Sequence, residues 1–133
     1  MDIMVKAALI NAVMIGSGGF LGTLARFGLN GFVQRQLPSA AFPYGTLAVN
    51  LMGCFLIGSV AGFAEERQFL GQEIRAVVLI GVLGGFTTFS TFGYDTFEML
   101  RDENYARATC NAGIHVALGV ALVWLGHTLT TSR

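Results

Sequence analysis

Hydroxyl side chains interrupt an apolar run at residues 81–93, where Ser90 and Thr91 stand between Phe89 and Phe92. The two phenylalanines are three residues apart, so on a helix they share one face. An aromatic ring is negative on its face and positive at its edge. Ring edges beside hydroxyl groups could line a path for a poorly hydrated anion. The ordinary interpretation of such a pair is packing in a core or against lipid.

Two other apolar stretches carry isolated polar side chains. Asn50 lies in one, and Asn111 and His115, four residues apart on one helical face, lie in another. A polar group inside a membrane needs a partner, so these residues either form single interhelical hydrogen bonds or join the Ser/Thr run in a continuous polar track. Arg26, near the end of the first apolar stretch, either extends to the membrane surface or attracts anions at a vestibule.

Gly84 and Gly85 stand directly before the Thr/Ser run. Each glycine weakens a helix by about 1 kcal/mol relative to alanine, and Thr and Ser side chains compete for backbone hydrogen bonds. A break near the middle of this helix would free carbonyl groups, which a membrane tolerates only inside protein or around an ion. The alternative is an intact helix whose hydroxyls bond back to the carbonyl four residues earlier.

Helices must position these side chains, because the charged residues are confined to a few clusters. Four long stretches contain no charge, namely residues 7–25, 36–64, 76–94 and 108–132. A helix needs about 20 apolar residues to cross a bilayer. The pattern predicts an all-α membrane protein, a single four-helix unit over residues 1–133. The expected helices are about 7–33, 44–64, 74–99 and 106–129.

The composition excludes several classes of protein. Hydrophobic types make up 53% and charged types 12%, against roughly 25% charge in soluble domains. The net charge of zero gives no electrostatic footprint for nucleic acid. The sequence has no nucleophile-elbow motif and no His or Cys pair at a metal-binding helical spacing. We therefore expect neither an enzyme nor a nucleic-acid-binding protein.

The lysines and arginines do not specify an orientation in the membrane. Both termini of a four-helix chain share a side, and its basic residues are Lys6, Arg67, Arg75 and Arg133. Those of the other side are Arg35, Arg101 and Arg107, with Arg26 as a fourth if it is counted. Because the bias is one charge or none, the positive-inside rule predicts insertion in both directions. We expect an antiparallel homodimer; the alternative is one orientation set by a partner or by lipid.

Glycine pairs four residues apart predict close helix contacts, because small residues at that spacing let backbones approach each other in lipid. The pairs are Gly18 with Gly22, Gly58 with Gly62, and Gly81 with Gly85. Four helices of this size enclose little space, which again favours an oligomer.

Three segments resemble the motifs of one family, the CrcB/Fluc fluoride channels. The segment Gly84–Phe92 is similar to the signature of its third helix. Gly22–Arg26 resembles the motif of its first helix and Pro43–Gly53 that of its second. The resemblance covers essentially the whole chain. It implies a multi-pass protein of the cytoplasmic (inner) membrane, an antiparallel dual-topology homodimer whose two pores let fluoride leave the cell passively.

The resemblance also implies roles for residues of this chain. Gly84 and Thr87 would offer main-chain carbonyls to a structural Na⁺ at the dimer axis, and Arg26 would lie near the vestibule. The implied pore residues are Asn50, Phe89, Ser90, Thr91, Phe92, Asn111 and His115. Many members have Ser, Thr or Asn in place of His115. Since imidazole titrates near neutral pH, this histidine predicts pH-sensitive conduction.

Two other functions remain open on the residues alone. A small-cation exporter of the small multidrug resistance type shares four short helices and a weak topology bias. It would normally carry a membrane carboxylate, and residues 7–25 contain none. A structural membrane subunit, in which the polar track only joins helices, is the third possibility.

Overall fold

The computed structural model of the chain describes residues 2–37, 41–67 and 71–131. All regular secondary structure in these ranges is helical. Four helical runs there are long and apolar enough to cross a membrane, namely Ile3–Gln36, Tyr44–Glu65, Glu73–Arg101 and Tyr105–Thr131. The prediction of an all-α protein with four membrane-spanning helices is therefore confirmed, and the chain is a multi-pass membrane protein.

Seven elements make up the four spans. They are α1 (Ile3–Gln36), α2 (Tyr44–Arg67), α3 (Gln72–Ala76), a π-helical segment (Val77–Leu83), α4 (Gly84–Phe86), α5 (Phe89–Arg101) and α6 (Tyr105–Thr131). The helices extend past the expected ends near residues 7, 33, 64 and 129. The expected ends follow the limits of the apolar stretches, but Lys, Gln, Glu and Arg are good helix formers and continue the backbone beyond the membrane.

The loop expected at residues 34–43 is shorter than predicted, because α1 continues to Gln36. Pro43 stands directly before α2, and its carbonyl accepts a hydrogen bond from the amide of Leu47, 3.0 Å away. A proline is well placed at this end of a helix, where its missing N–H leaves no hydrogen bond unmade. Pro38 lies outside the described residues.

The third span is irregular over its middle. The π-helical segment, which the sequence analysis does not predict, leads into the single turn of α4. Thr87 (φ −85°, ψ 158°) and Thr88 (φ −151°, ψ 113°) are then extended. Helical geometry resumes at Phe89. The two extended residues lie directly after the paired glycines and within the Thr/Ser run.

Two close helix interfaces hold the spans together, and all six predicted glycines lie in them. The first joins α1 to the π-helical segment and α4. There a Cβ at Gly22 would overlap the carbonyl of Val82, and one at Gly85 would meet the backbone of Gly19. The second joins α2 to α6, where a Cβ at Gly58 would overlap the carbonyl of Val123. The predicted close contacts are therefore confirmed within one chain.

Few side chains are buried in a single chain. The largest that are fully enclosed are Val49 at 1% exposure and Asn111 at 0%. Large apolar side chains instead cover the outside, as in Phe20 and Phe27 of α1 and Trp124 of α6. A lipid environment suits such a surface, because the hydrocarbon of a bilayer needs no polar cover.

Candidate ion pathway

Asn50 of α2 is bonded to both polar groups of the Thr88 backbone. Its Nδ2 donates to the carbonyl oxygen of Thr88 at 3.1 Å, and the amide of Thr88 donates to its Oδ1 at 2.9 Å. One N–H of the Asn50 amide is left, since an NH₂ group carries two donors. The predicted interhelical hydrogen bond of Asn50 is therefore present, and it reaches backbone rather than another side chain.

The side chain of Thr88 caps the helix that follows. Its Oγ1 accepts from the amide of Thr91 at 3.3 Å, which satisfies one of the unpaired donors at the start of α5. The same hydroxyl lies 3.0 Å from Thr91 Oγ1 and 3.2 Å from Ser90 Oγ. Three hydroxyl groups therefore meet at the start of α5, two of them predicted pore residues.

These bonds release two backbone carbonyls. In a continuous α-helix the amide of Thr88 would bond to the carbonyl of Gly84, and the amide of Thr91 to that of Thr87. The first amide donates to Asn50 instead, and the second to the Thr88 hydroxyl. Gly84 and Thr87, the two residues expected to offer carbonyl oxygens to a cation, are therefore among the residues whose carbonyls lose their helical donors.

Three aromatic rings form a row across α5 and α6. The centroids of Phe89 and Phe92 are 5.5 Å apart, and those of Phe92 and His115 are 4.4 Å apart, each pair tilted. Phe89 at one end of the row is 82% exposed in a single chain. Phe92 in the middle is half-buried between its neighbours.

Asn111 and His115 hold α6 to α5 and to its own backbone. Asn111 Nδ2 donates to Thr96 Oγ1 at 2.9 Å, and that hydroxyl donates in turn to the carbonyl of Phe92 at 2.7 Å. His115 Nδ1 lies 2.9 Å from the carbonyl of Asn111. Within the described part of the chain, Asn111 Oδ1 and His115 Nε2 are buried without a hydrogen-bond partner.

A cavity of about 360 Å³ brings most of these residues together. We call it the phenylalanine cavity. Its lining is mostly apolar, with a few convergent polar groups, which is the usual character of a small-ligand site. The lining residues are Asn50, Leu51, Gly53, Cys54, Ile57, Leu79, Leu83, Gly84, Thr87, Thr88, Phe89, Phe92, His115 and Val116.

Two further cavities lie between the phenylalanine cavity and the loops at residues 41–43 and 102–104, and neighbouring cavities share lining residues. The arginine cavity, of about 270 Å³, shares Thr88 with it and is lined by Thr23, Arg26, Phe27, Asn30, Thr46, Val49, Thr88 and Thr91. The acidic mouth, of about 440 Å³, shares Asn30, Thr46 and Thr91 with the arginine cavity. Its other lining residues are Gln34, Ala41, Phe42, Pro43, Asp95, Glu98, Met99, Asp102, Asn104 and Arg107.

Two carboxylates of the acidic mouth, those of Asp95 and Glu98, each accept a hydrogen bond at one oxygen. Asp95 Oδ2 accepts from the buried hydroxyl of Thr46 at 2.8 Å. Glu98 Oε2 accepts from the guanidinium of Arg101 at 2.6 Å. These contacts offset part of the negative charge that an anion would meet at this end of the path.

The structure brings most of the predicted residues to this path and adds others. Asn50, Phe89, Phe92, His115, Gly84 and Thr87 line the phenylalanine cavity, and Arg26 and Thr91 line the arginine cavity. Ser90 and Asn111 line neither, although each is bonded to a neighbour of the path. The sequence analysis missed Thr88, Thr46 and Thr96. A capping rule, which favours Thr before a new helix, could have indicated Thr88.

Comparison with known proteins identifies the family of the chain. The family model described as "CrcB-like protein, Camphor Resistance (CrcB)" matches residues 13–127. A protein of Nitratidesulfovibrio vulgaris, named "Fluoride-specific ion channel FluC", is 44% identical over 114 residues, which are 86% of this chain and 91% of that protein.

Two further relatives carry the same name. The protein of Nitrosococcus oceani is 44% identical over 87% of this chain and 92% of its own length. The protein of Geobacter sulfurreducens is 46% identical over 81% of this chain and 86% of its own length. With nearly the whole chain matched, and with the motif residues gathered along one path, this protein belongs to the CrcB family.

Proposed function

We propose that the protein is a fluoride-selective channel of the cytoplasmic (inner) membrane, a passive route by which fluoride leaves the cell and its toxicity is relieved. It is a channel and not an enzyme. The observation that carries the proposal is the set of three neighbouring cavities, each sharing lining residues with the next, from the phenylalanine pair past Arg26 to the loop end of the bundle. The name shared by the relatives supports fluoride as the ion.

The path offers donors to an ion that has lost its water. A bare anion is costly to bury unless hydrogen bonds replace its hydration. The free N–H of Asn50 and the hydroxyls of Thr88 and Thr91 can supply such bonds. The positive ring edges of Phe89 and Phe92 add weaker contacts of the same sign. Several weak sites in series let an ion enter without trapping it.

Arg26 is the one charged residue among the described residues that line the arginine cavity. Its side chain is half-buried and lines the arginine cavity between the hydroxyl cluster and the acidic mouth. Among the described residues it forms no ion pair. A cation in this position attracts anions to the path and disfavours cations, in agreement with a fluoride channel and not with a cation exporter.

The working unit in this proposal is an antiparallel homodimer with dual topology and two pores. The near-equal number of basic residues on the two sides supports insertion in both directions. The exposure of Phe89 supports a second copy, because a pore phenylalanine needs protein on its open side to exclude lipid. Reporters fused to the C-terminus should be active on both sides of the membrane, and activity on one side alone would contradict dual topology.

A structural sodium ion at the dimer axis fits the released carbonyls of Gly84 and Thr87. Gly84 and Thr87 lose their helical donors to Asn50 and Thr88, and hard cations such as sodium take oxygen ligands. We take the extended residues Thr87 and Thr88 as the predicted break of the third span. In a dimer, Gly84 and Thr87 of the two chains would together offer four carbonyl oxygens. A bound sodium ion would supply a positive charge that holds the two chains together. Replacing sodium by a large organic cation should lower the thermal stability of the dimer.

Efflux from vesicles tests the function directly. Liposomes that contain the purified protein should release fluoride and retain chloride, with protein-free liposomes as the control. Retention of fluoride by vesicles that contain folded protein would overturn the proposal. Release of both halides would overturn its selectivity, because rejection of chloride requires a path too tight for the larger ion.

A further inference from the structure

His115 has one ring nitrogen in use and one buried without a partner. Nδ1 lies 2.9 Å from the carbonyl oxygen of Asn111, and a carbonyl can only accept, so Nδ1 carries the proton. In a neutral imidazole the other nitrogen, Nε2, is then an acceptor. Within the described part of the chain Nε2 has no hydrogen-bond partner and is shielded from solvent. The ring lines the phenylalanine cavity and lies 4.4 Å from the ring of Phe92.

The lone pair of an unpaired Nε2 is unfavourable beside a path for anions. It repels the anion that the neighbouring donor groups attract. A proton on Nε2 changes both the sign and the role of this position. The ring becomes a cation and Nε2 becomes a donor. The Phe92 ring, within about 6 Å of the new charge, gives it weak cation–π stabilisation.

Among the described residues that line the phenylalanine cavity, there is no acid to balance that charge. From α2 the one titratable group that lines the cavity is the thiol of Cys54, and the third span contributes none. The first acid along α5, Asp95, lines the acidic mouth and is bonded to Thr46. On α6, Arg107 and Cys110 do not line the cavity. A sodium ion at Gly84 and Thr87 would only add positive charge.

We propose that His115 takes up a proton together with the anion in the phenylalanine cavity, so that it forms a proton-linked fluoride site. An unpaired charge in a low-dielectric interior is strongly disfavoured. The imidazolium and fluoride therefore stabilise each other, each removing the burial penalty of its counterpart. The inference rests on the proposed fluoride channel and adds to it a site whose affinity depends on pH.

Linkage fixes the direction of the effect. If fluoride favours the protonated ring, protonation favours bound fluoride by the same factor. Fluoride binding therefore strengthens as the pH falls through the range in which imidazoles titrate. By the same linkage, bound fluoride favours the protonated form of His115. Chloride has no such effect in this proposal, because it does not enter the site.

The first experiment uses the native protein. The side-chain nitrogen resonances of the two histidines are followed across pH in sodium fluoride and in sodium chloride of equal concentration. His115 should stay protonated to a higher pH in fluoride. His127, paired with Glu65 at 2.9 Å outside the cavity, is the internal reference and should titrate alike in both salts. Identical titration of His115 in the two salts would overturn the proposal.

The second experiment measures efflux at about pH 5.5 and about pH 7.5, on either side of the imidazole range. Protein-free vesicles correct for fluoride that crosses as HF, and sodium is held constant. The fluoride concentration that gives half-maximal flux should fall about five-fold or more at the lower pH in the native protein. His115→Asn should abolish the change, and His127→Asn should retain it.

The outcomes separate this inference from the function on which it rests. Fluoride flux with the same pH dependence in the native protein and in His115→Asn would overturn the proton-linked site and leave the channel intact. No fluoride flux through native protein would overturn the channel itself. If His115→Asn fails to fold, the titration of the native protein still decides the question.

Discussion

The amide of Asn50 binds the backbone of Thr88 at both its N–H and its C=O, at 2.9 and 3.1 Å. One side chain of α2 thereby replaces the helical bond that the amide of Thr88 gives up. The same residue, Thr88, is thus extended, bonded to Asn50 and the cap of α5. Its hydroxyl lies 3.0 Å from that of Thr91, and both residues lie on the proposed path.

Replacing Asn50 by leucine should remove both hydrogen bonds to the backbone of Thr88. The amide of Thr88 would lose its partner, at about 1–3 kcal/mol for a buried group left unsatisfied, and its carbonyl would keep only the first helical bond of α5. We expect fluoride efflux to fall at least about ten-fold, since 1.4 kcal/mol is a factor of ten, and the amide of Thr88 to exchange its hydrogen faster. Efflux and hydrogen exchange measure the two effects separately.

Asn11→Leu is the matched control for Asn50→Leu. Asn11 is also a partly buried asparagine of a membrane helix, and among the described residues it forms no side-chain hydrogen bond and lines a different cavity. The Asn11→Leu variant should therefore show nearly native fluoride efflux and nearly native hydrogen exchange at Thr88. Normal efflux in Asn50→Leu with unchanged exchange at Thr88 would show that the Asn50 amide is not needed to hold Thr88 in its extended conformation.

The sequence indicates which side chains are unusual but not what they bind. Asn50 and Asn111 are recognisable as polar groups in apolar helices, and the glycine pairs as close contacts, because both depend on local spacing. The partner of Asn50 is the backbone of Thr88, 38 residues away. Such a pairing depends on how α2 meets the third span, which no local rule specifies.

The π-helical segment is hidden in the sequence for a similar reason. Val77–Leu83 has an apolar composition typical of any membrane helix. Its wider turn coincides with the close approach to α1, where the Gly81 backbone faces the carbonyl of Ile15. The local geometry thus goes together with a contact between spans, which the composition of one segment does not reveal.

The two phenylalanines should respond differently to isoleucine. Phe89→Ile should lower fluoride efflux with little change in the stability of a single chain, because the ring is 82% exposed. Phe92→Ile should lower efflux and also destabilise the fold by about 1 kcal/mol, because it loses ring contacts to both neighbours. Efflux and thermal unfolding are the measurements.

Phe20→Ile provides the control for both phenylalanine variants. Phe20 is 64% exposed on α1 and lines neither the phenylalanine cavity, nor the arginine cavity, nor the acidic mouth. We expect native stability and at most a small change in efflux. An equal loss of efflux in all three variants would indicate a general effect of removing aromatic rings from the surface.

Thr88→Val should weaken the start of α5. The change keeps the shape of the side chain and removes the oxygen that accepts from the amide of Thr91. Loss of a capping oxygen costs about 0.5–2 kcal/mol, and the hydroxyl cluster loses its central member. Thr88→Ser, which keeps the oxygen, should unfold at nearly the native temperature. Thr87→Val removes only a bond to the carbonyl of Leu83 and should be milder than Thr88→Val.

The helix interfaces predict that a glycine-to-alanine substitution lowers the stability of the protein at some positions and raises it at others. Gly126→Ala should destabilise the protein, because the new methyl group would meet the backbone of Phe55 and Ser59 on α2, and such overpacking costs about 1–3 kcal/mol. Gly16→Ala and Gly113→Ala place the same methyl group where nothing lies within 4 Å in one chain. There the higher helix propensity of alanine should raise stability by about 0.5–1 kcal/mol. Thermal unfolding of the three variants in one detergent compares them directly. A loss of stability at Gly113 as large as that at Gly126 would place a neighbouring chain against the outer face of α6, where a single chain has open space.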